Sequence, residues 1–245
     1  MRGFNADLHI HSCLSPCCDL DMSPRAIVER SLERALDIIA ICDHNSAENV
    51  GAAMRAGEKR GLCVLPGLEI SSQEEVHTLA IFDDEGRALR MQALVYAHLK
   101  GTNRPELFGD QVVANEFDEV EGFNDRLLIG AAQLRLYDVV KEVHRLGGIS
   151  IASHVDRPSF SILSQLGFIP DDLDLDGVEV SRHVDPRSAR SAVPEIGLRP
   201  VIASSDAHCL DDIGGATTLF HLEAPTLNEF RLALAGKAGR GVTFP

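Results

Sequence analysis

Short apolar runs alternate with amphipathic segments about seven times along this chain, and most of the runs end beside a histidine or a carboxylate. The runs are Phe4–Ile10, Asp37–Cys42, Leu62–Ile70, Val76–Phe82, Ile149–Ser153, Gly177–Val180, Val201–Ser204 and Thr217–Leu222. Continuous apolar runs of this length read as strands buried on both faces. Helical periodicity fills the intervals over Arg25–Ala35, Ser46–Arg60, Glu85–Leu99, Tyr137–Leu146, Ser159–Leu166 and Thr226–Ala235. Ser23 and Thr226 stand as N-caps, Pro24 occupies the first helical position, and Gly61 and Gly147-Gly148 stop helices. Pro66-Gly67 is expected to break the third strand. Strands separated by helices pair in parallel through crossovers, as an open sheet or a closed barrel.

The polar residues choose between those two. His9/His11, Asp43/His44, Glu69, His154, Arg182/His183 and Asp206/His208 all fall at the carboxyl ends of strands. In a barrel these ends meet around one mouth, whereas an open sheet spreads them along a crevice. Their distribution from first strand to last favours a TIM-like α/β barrel. Residues 100–135 break the rhythm and include an acidic stretch (Glu116, Asp118, Glu119, Glu121). They read as an insertion that pairs as a hairpin within a single domain spanning 1–245.

His9 and His11 lie on one face of a strand, about 6–7 Å apart, and make half of a metal site. Imidazole combined with carboxylate suits zinc, manganese or iron. A set of about nine nitrogen and oxygen ligands exceeds one ion and, shared among two or three, leaves open positions, the mark of a catalytic centre. Such ions lower the pKa of water and clamp phosphoryl oxygens. Asp7 and Asp43 adjoin the histidines and are candidates to accept the distal N–H of a ligand imidazole. Arg157, Arg182 and His183 follow strand ends as candidate phosphate contacts, the arginines through a planar guanidinium fork, with protonation of the leaving oxygen as a lesser role for His183. The cysteines read mainly as small apolar residues, with a thiolate ligand as the lesser alternative.

With 44% hydrophobic residues in 245, the chain can bury a substantial core. No apolar run reaches membrane-spanning length, no signal-peptide pattern opens the chain, and six cysteines form no framework. These features point to a cytoplasmic protein with reduced thiols and no membrane partner. The net charge of −14 argues against extended nucleic-acid binding. Two or three divalent ions would offset roughly 4–6 units of that charge, so a small anionic substrate is compatible with it. No oligomeric state follows.

Five motifs in order complete the reading: DLHIHS at 7–12, ICDHNS at 41–46, PGLEIS at 66–71, SHVDRP at 153–158 and SSDAH at 204–208. Together they resemble the polymerase and histidinol phosphatase (PHP) family over nearly the whole chain. The resemblance implies a distorted (β/α)7 barrel with a two- or three-metal phosphoesterase centre. It implies that His9, His11, Glu69 and Asp206 hold one ion, that Glu69 bridges to a second held by His77 and His154, and that Asp19, His44 and His208 hold a third. Asp19 stands where many members carry histidine, and Asp21 is a near competitor. The expected activity is hydrolysis of a small phosphomonoester or nucleotide by water activated between zinc, manganese or iron ions. The alternatives are an exonuclease-type phosphodiesterase acting on nucleic-acid ends, a histidinol-phosphate phosphatase, and a non-catalytic metal-binding module.

Overall fold

The apolar runs become strands of one nine-stranded sheet, seen here in a computed structural model that describes residues 1–245. In chain order the strands are β1 (Arg2–Ile10), β2 (Ile38–Ile41), β3 (Cys63–Ser71), β4 (His77–Ile81), β5 (Val112–Ala114), β6 (Val120–Phe123), β7 (Ile149–Ala152), β8 (Gly177–Val180), β9 (Val201–Ala203), β10 (Thr218–Leu222) and β11 (Gly241–Thr243). The sheet runs β11-β10-β1-β2-β3-β4-β7-β8-β9, with β5-β6 as a separate hairpin. Beyond β9 the chain returns to β1: the His11 N–H donates to the Ala207 carbonyl at 3.0 Å, and Ile10 pairs with Ala207 in parallel. Thr218 Oγ1 joins β10 to β9 by bonds of 2.8 Å to the backbone N and O of Ala203. The sheet is thus a nearly closed, TIM-like barrel.

Side chains from strands all around the sheet fill its inside, among them Leu8, Ile38, Leu65, Leu79, Ile151 and Phe220. A second apolar layer lies between the strands and the helices α1 (Pro24–Glu33), α2 (Val50–Arg60) and α3 (Glu85–His98). A third joins β7, β8 and β9 to α5 (Leu136–Arg145) and α6 (Ile162–Leu166). These strands are buried on both faces, which is why they read as unbroken apolar runs. The short segment α4 (Pro105–Phe108) lies outside these layers, α7 (Ala189–Ala192) adds Ala189 to the third, and α8 (Leu227–Leu234) packs on β10 and β11. No helix is long and apolar enough to cross a membrane.

Three expectations need correction. The strands are not all parallel: β4 runs antiparallel to both β3 and β7. Residues 72–76 are too few for a crossover, so consecutive strands joined by them form a hairpin. Its reversed direction places His77, the first residue of β4, at the same rim as the ends of its neighbours. Nor is β3 broken at Pro66-Gly67. Pro66 falls at the last pair with β2, opposite Ile41, and Gly67 then begins the pairing with β4. Gly67 permits this exchange, because a Cβ there would lie 2.7 Å from Cys42 Sγ. Finally, α2 begins at Val50, not Ser46, because the preceding side chains hold other segments. Asn49 accepts from the Ala114 N–H at 3.0 Å and donates to the Val112 carbonyl at 3.0 Å, seating the β5-β6 hairpin.

Candidate metal centre

The strand ends gather His9, His11, His44, Glu69, His77, His154, Asp206 and His208 at one rim. His9 Nε2 lies 3.0 Å from His11 Nε2 and 3.4 Å from Asp206 Oδ1. His11 Nε2 lies 3.1 Å from the same carboxylate oxygen. Glu69 sits among the rest: its Oε1 is 3.1 Å from both His77 Nδ1 and His154 Nε2, and its Oε2 is 3.1 Å from His44 Nδ1. All but His208 are buried. His154 and Asp206 hold left-handed backbone angles, φ 29° and 51°. For residues other than glycine that conformation costs about 1–3 kcal/mol and recurs at functional sites.

Hydrogen bonds behind the cluster fix which nitrogens face it. His9 Nδ1–H donates to Glu179 Oε2 at 2.9 Å, so its Nε2 points inward. Ser15 Oγ donates to Asp43 at 2.7 Å and therefore accepts from His11 Nδ1–H at 3.0 Å, again leaving Nε2 inward. His208 Nδ1–H donates to the Asp206 carbonyl at 2.8 Å. The inward-facing atoms are nearly all acceptors. One extra proton, on His9, would satisfy one contact, whereas a divalent cation answers several at once. Buried acceptors without donors are costly, and these donor types suit zinc, manganese or iron. The residues therefore fit metal ions.

The electrostatics divide the histidines. Burial pushes His11 down to about 3, aided by His208, so its imidazole is neutral and ready to ligate. Burial also opposes a proton on His9, but Glu179, Asp206 and Glu69 outweigh it and raise its pKa well above the ordinary value. Burial opposes charge on Glu69, yet His77 and His9 hold its carboxylate well below the usual range.

The structure does not bring every candidate together. Asp19 is exposed and belongs to none of the close ligand groups; its N–H donates to the His208 carbonyl at 3.0 Å. Instead the thiols of Cys17 and Cys18 stand beside His208. Arg157 does line the cavity, with its guanidinium 2.7 Å from Asp206 Oδ2. Arg182 turns away to pair with Asp212, and His183 is exposed outside the cavity. Asp7 and Asp43 touch no imidazole directly. Asp7 accepts from the Ser205 and Gly214 N–H groups at 3.0 Å each, and burial pushes its pKa up to about 6. Asp43 acts through Ser15. The residue that orients His9 is Glu179, a fully buried carboxylate in β8 that also accepts the His154 N–H at 3.0 Å. Its signal was the lone acid in the apolar run GVEV, since a buried charge needs a partner.

Residues 7–159 match the PHP domain family model. The chain belongs to the PHP family. Residues 187–238 match the PHP-associated model. The chain is 26% identical over 134 residues to the 5'-3' exoribonuclease Rnm of Escherichia coli (strain K12), covering 53% of this chain and 45% of that protein. It is 34% identical over 77 residues to the 3',5'-nucleoside bisphosphate phosphatase of Chromobacterium violaceum, covering 31% and 26%. The lesion-specific endonuclease PfuEndoQ from Pyrococcus furiosus superposes with a TM-score of 0.74 at 19% identity, over 98% of this chain and 58% of that one. The chain thus spans less than two thirds of the length of each of these three proteins. The PHP fold and this donor set are those of metal-dependent phosphoesterases. The expectation of a small substrate without extended nucleic-acid contact does not stand, because an exoribonuclease and an endonuclease are among the PHP proteins most similar to this chain. Net charge misled because it sums the whole surface and includes the acids that hold cations.

Proposed function

We propose that this chain is a metal-dependent phosphoesterase that cleaves phosphodiester bonds of nucleic acid. The observation that carries the metal chemistry is the acceptor-only cluster of His9, His11, Glu69 and Asp206. Those four would hold one ion, Glu69 with His77 and His154 a second, and His44 with His208 would contribute to a third. When bound, divalent ions at these positions supply acidified water and neutralise charge on the phosphoryl group.

The chain's own residues supply the rest. Glu179 and Ser15 fix the ligand tautomers, so no ring reorients during turnover. Arg157 reaches the cavity with a fork that matches two phosphate oxygens and counters the charge that builds on them. The cavity is about 170 Å³, below the roughly 300 Å³ at which pockets begin to enclose a whole small ligand. It suits a phosphate whose flanking sugars and bases stay outside, as in a strand. Phe160, stacked on His77 at 5.0 Å and 45% exposed, offers an aromatic face at its lip for a base. The nuclease names of the relatives support the same substrate class.

Manganese- or zinc-loaded protein, given end-labelled single-stranded RNA and DNA, bis(p-nitrophenyl) phosphate and p-nitrophenyl phosphate, tests this. Strand cleavage and diester turnover are expected, both abolished by Asp206→Ala. Turnover confined to the monoester, or full activity of Asp206→Ala, refutes it.

A further inference from the structure

The first loop contains two adjacent thiols that the reading above leaves unused. Cys17 lines the same cavity as His44, Asp206 and His208. The ligand atoms of Cys17, Cys18 and His208 lie within 4.8 Å of one another, and so do those of His11, His44 and His208. His208 is common to both groups. With its Nδ1–H given to the Asp206 carbonyl at 2.8 Å, its Nε2 keeps a free lone pair. The carboxylate nearest in sequence is not available to the same place. The Cys18 N–H bonds to the Ser15 carbonyl at 3.0 Å and the Asp19 N–H to the His208 carbonyl at 3.0 Å, a turn that keeps Asp19 out of the cavity wall, whereas Cys17, itself partly open to solvent, forms part of that wall.

We infer that the outer metal position of this chain is a mixed nitrogen–sulfur site, in which the Cys17 thiolate joins His44 and His208 in place of Asp19. The inference rests on the phosphoesterase reading and adds a preference to it. Thiolate favours zinc, iron or cobalt over manganese and magnesium, whereas a carboxylate in that place would not discriminate in this way. The outer ion would therefore differ in kind from the inner pair, whose ligands are only nitrogen and oxygen. Cys18 stands beside the site, half-packed on the core, and is not required as a ligand.

Cobalt reads the contact directly. Metal-stripped protein, kept reduced without added thiol, is titrated with Co²⁺, following the near-ultraviolet sulfur-to-cobalt band and counting bound metal per chain. The band is expected in the wild type, in Cys18→Ala and in Asp19→Asn. Cys17→Ala should lose it together with about one ion per chain, and zinc at that position should weaken by at least about tenfold. Circular dichroism checks that each variant folds. Should Cys17→Ala not fold, alkylation of the wild type reads the same contact: cobalt must protect Cys17. A wild type without the band, a band that survives in Cys17→Ala, an ion lost only with Asp19→Asn, or an unprotected Cys17 overturns the inference. Protein that binds no cobalt sinks the metal reading itself. Protein that binds cobalt and cleaves diesters without a sulfur band sinks only the thiolate.

Discussion

Replacing Glu179 by glutamine tests whether the residues behind the cluster set its metal affinity. Two hydrogen bonds converge on one oxygen, Oε2, from His9 Nδ1 at 2.9 Å and the His154 N–H at 3.0 Å. The other oxygen, Oε1, is buried without a partner. Glutamine can place its carbonyl oxygen at the first position and keep both bonds, but it loses the charge and buries an unpaired amide, costing about 1–3 kcal/mol. Alternatively the amide flips and donates to His9 Nδ1. That moves the ring proton to Nε2, where it blocks the metal-facing lone pair. Both outcomes weaken the ion at His9. Loss of such an acceptor costs 10–100-fold in affinity, about 1.4–2.7 kcal/mol. Competition with a chromogenic chelator measures the affinity, and turnover of bis(p-nitrophenyl) phosphate against metal concentration measures the consequence. Activity should fall at limiting metal and recover as metal is raised. Metal affinity indistinguishable from wild type would refute the reasoning.

Two further outcomes follow from the described contacts. Phe160→Ala should raise KM for an oligonucleotide by about 5–150-fold, the worth of one stacked base, and leave turnover of bis(p-nitrophenyl) phosphate unchanged. An equal loss on both substrates would mean that Phe160 only supports His77. Away from the site, His144 Nε2 lies 2.8 Å from Asp176 Oδ2, and this hydrogen bond raises the His144 pKa above its ordinary value. A raised histidine pKa stabilises fully below the unfolded value of about 6.5 and ceases to do so as pH rises through the folded value. Partial exposure of the pair to solvent limits the effect to under about 1 kcal/mol. His144→Gln should remove that increment at pH 6 but not at about pH 9, read by urea unfolding at each pH; a pH-independent difference would count against the ion pair.

The residues that gather at the rim were legible because strand periodicity and strand ends are local properties. His9-x-His11 and Asp206-x-His208 announce themselves in five or six letters. The direction of β4 was legible too, in the five residues that separate it from β3, but the regular alternation of strand and helix masked it. Glu179 was hidden because its role depends on a neighbour 170 positions away. Arg182 shows the limit of the strand-end rule, which places a residue near the rim without saying where its side chain turns. In this chain Asp212 captures it. Asp19 and Cys17 show a similar limit, since two residues of one tight turn face different ways and only the turn's own hydrogen bonds decide which enters the pocket.

The seam of the barrel has one more consequence. β1 and the end of β9 meet at the Ile10–Ala207 pairing and its flanking bonds, and there His9 and His11 confront Asp206. An ion held by those three side chains would straddle the joint like a clasp, fastening chain segments nearly two hundred residues apart. Stripping the metal leaves like-natured lone pairs pressed together across the joint. The amides of His11 and Ala207 should therefore exchange their hydrogens sooner than the rest of the sheet, and the cylinder should open first where the chain began and ended its circuit.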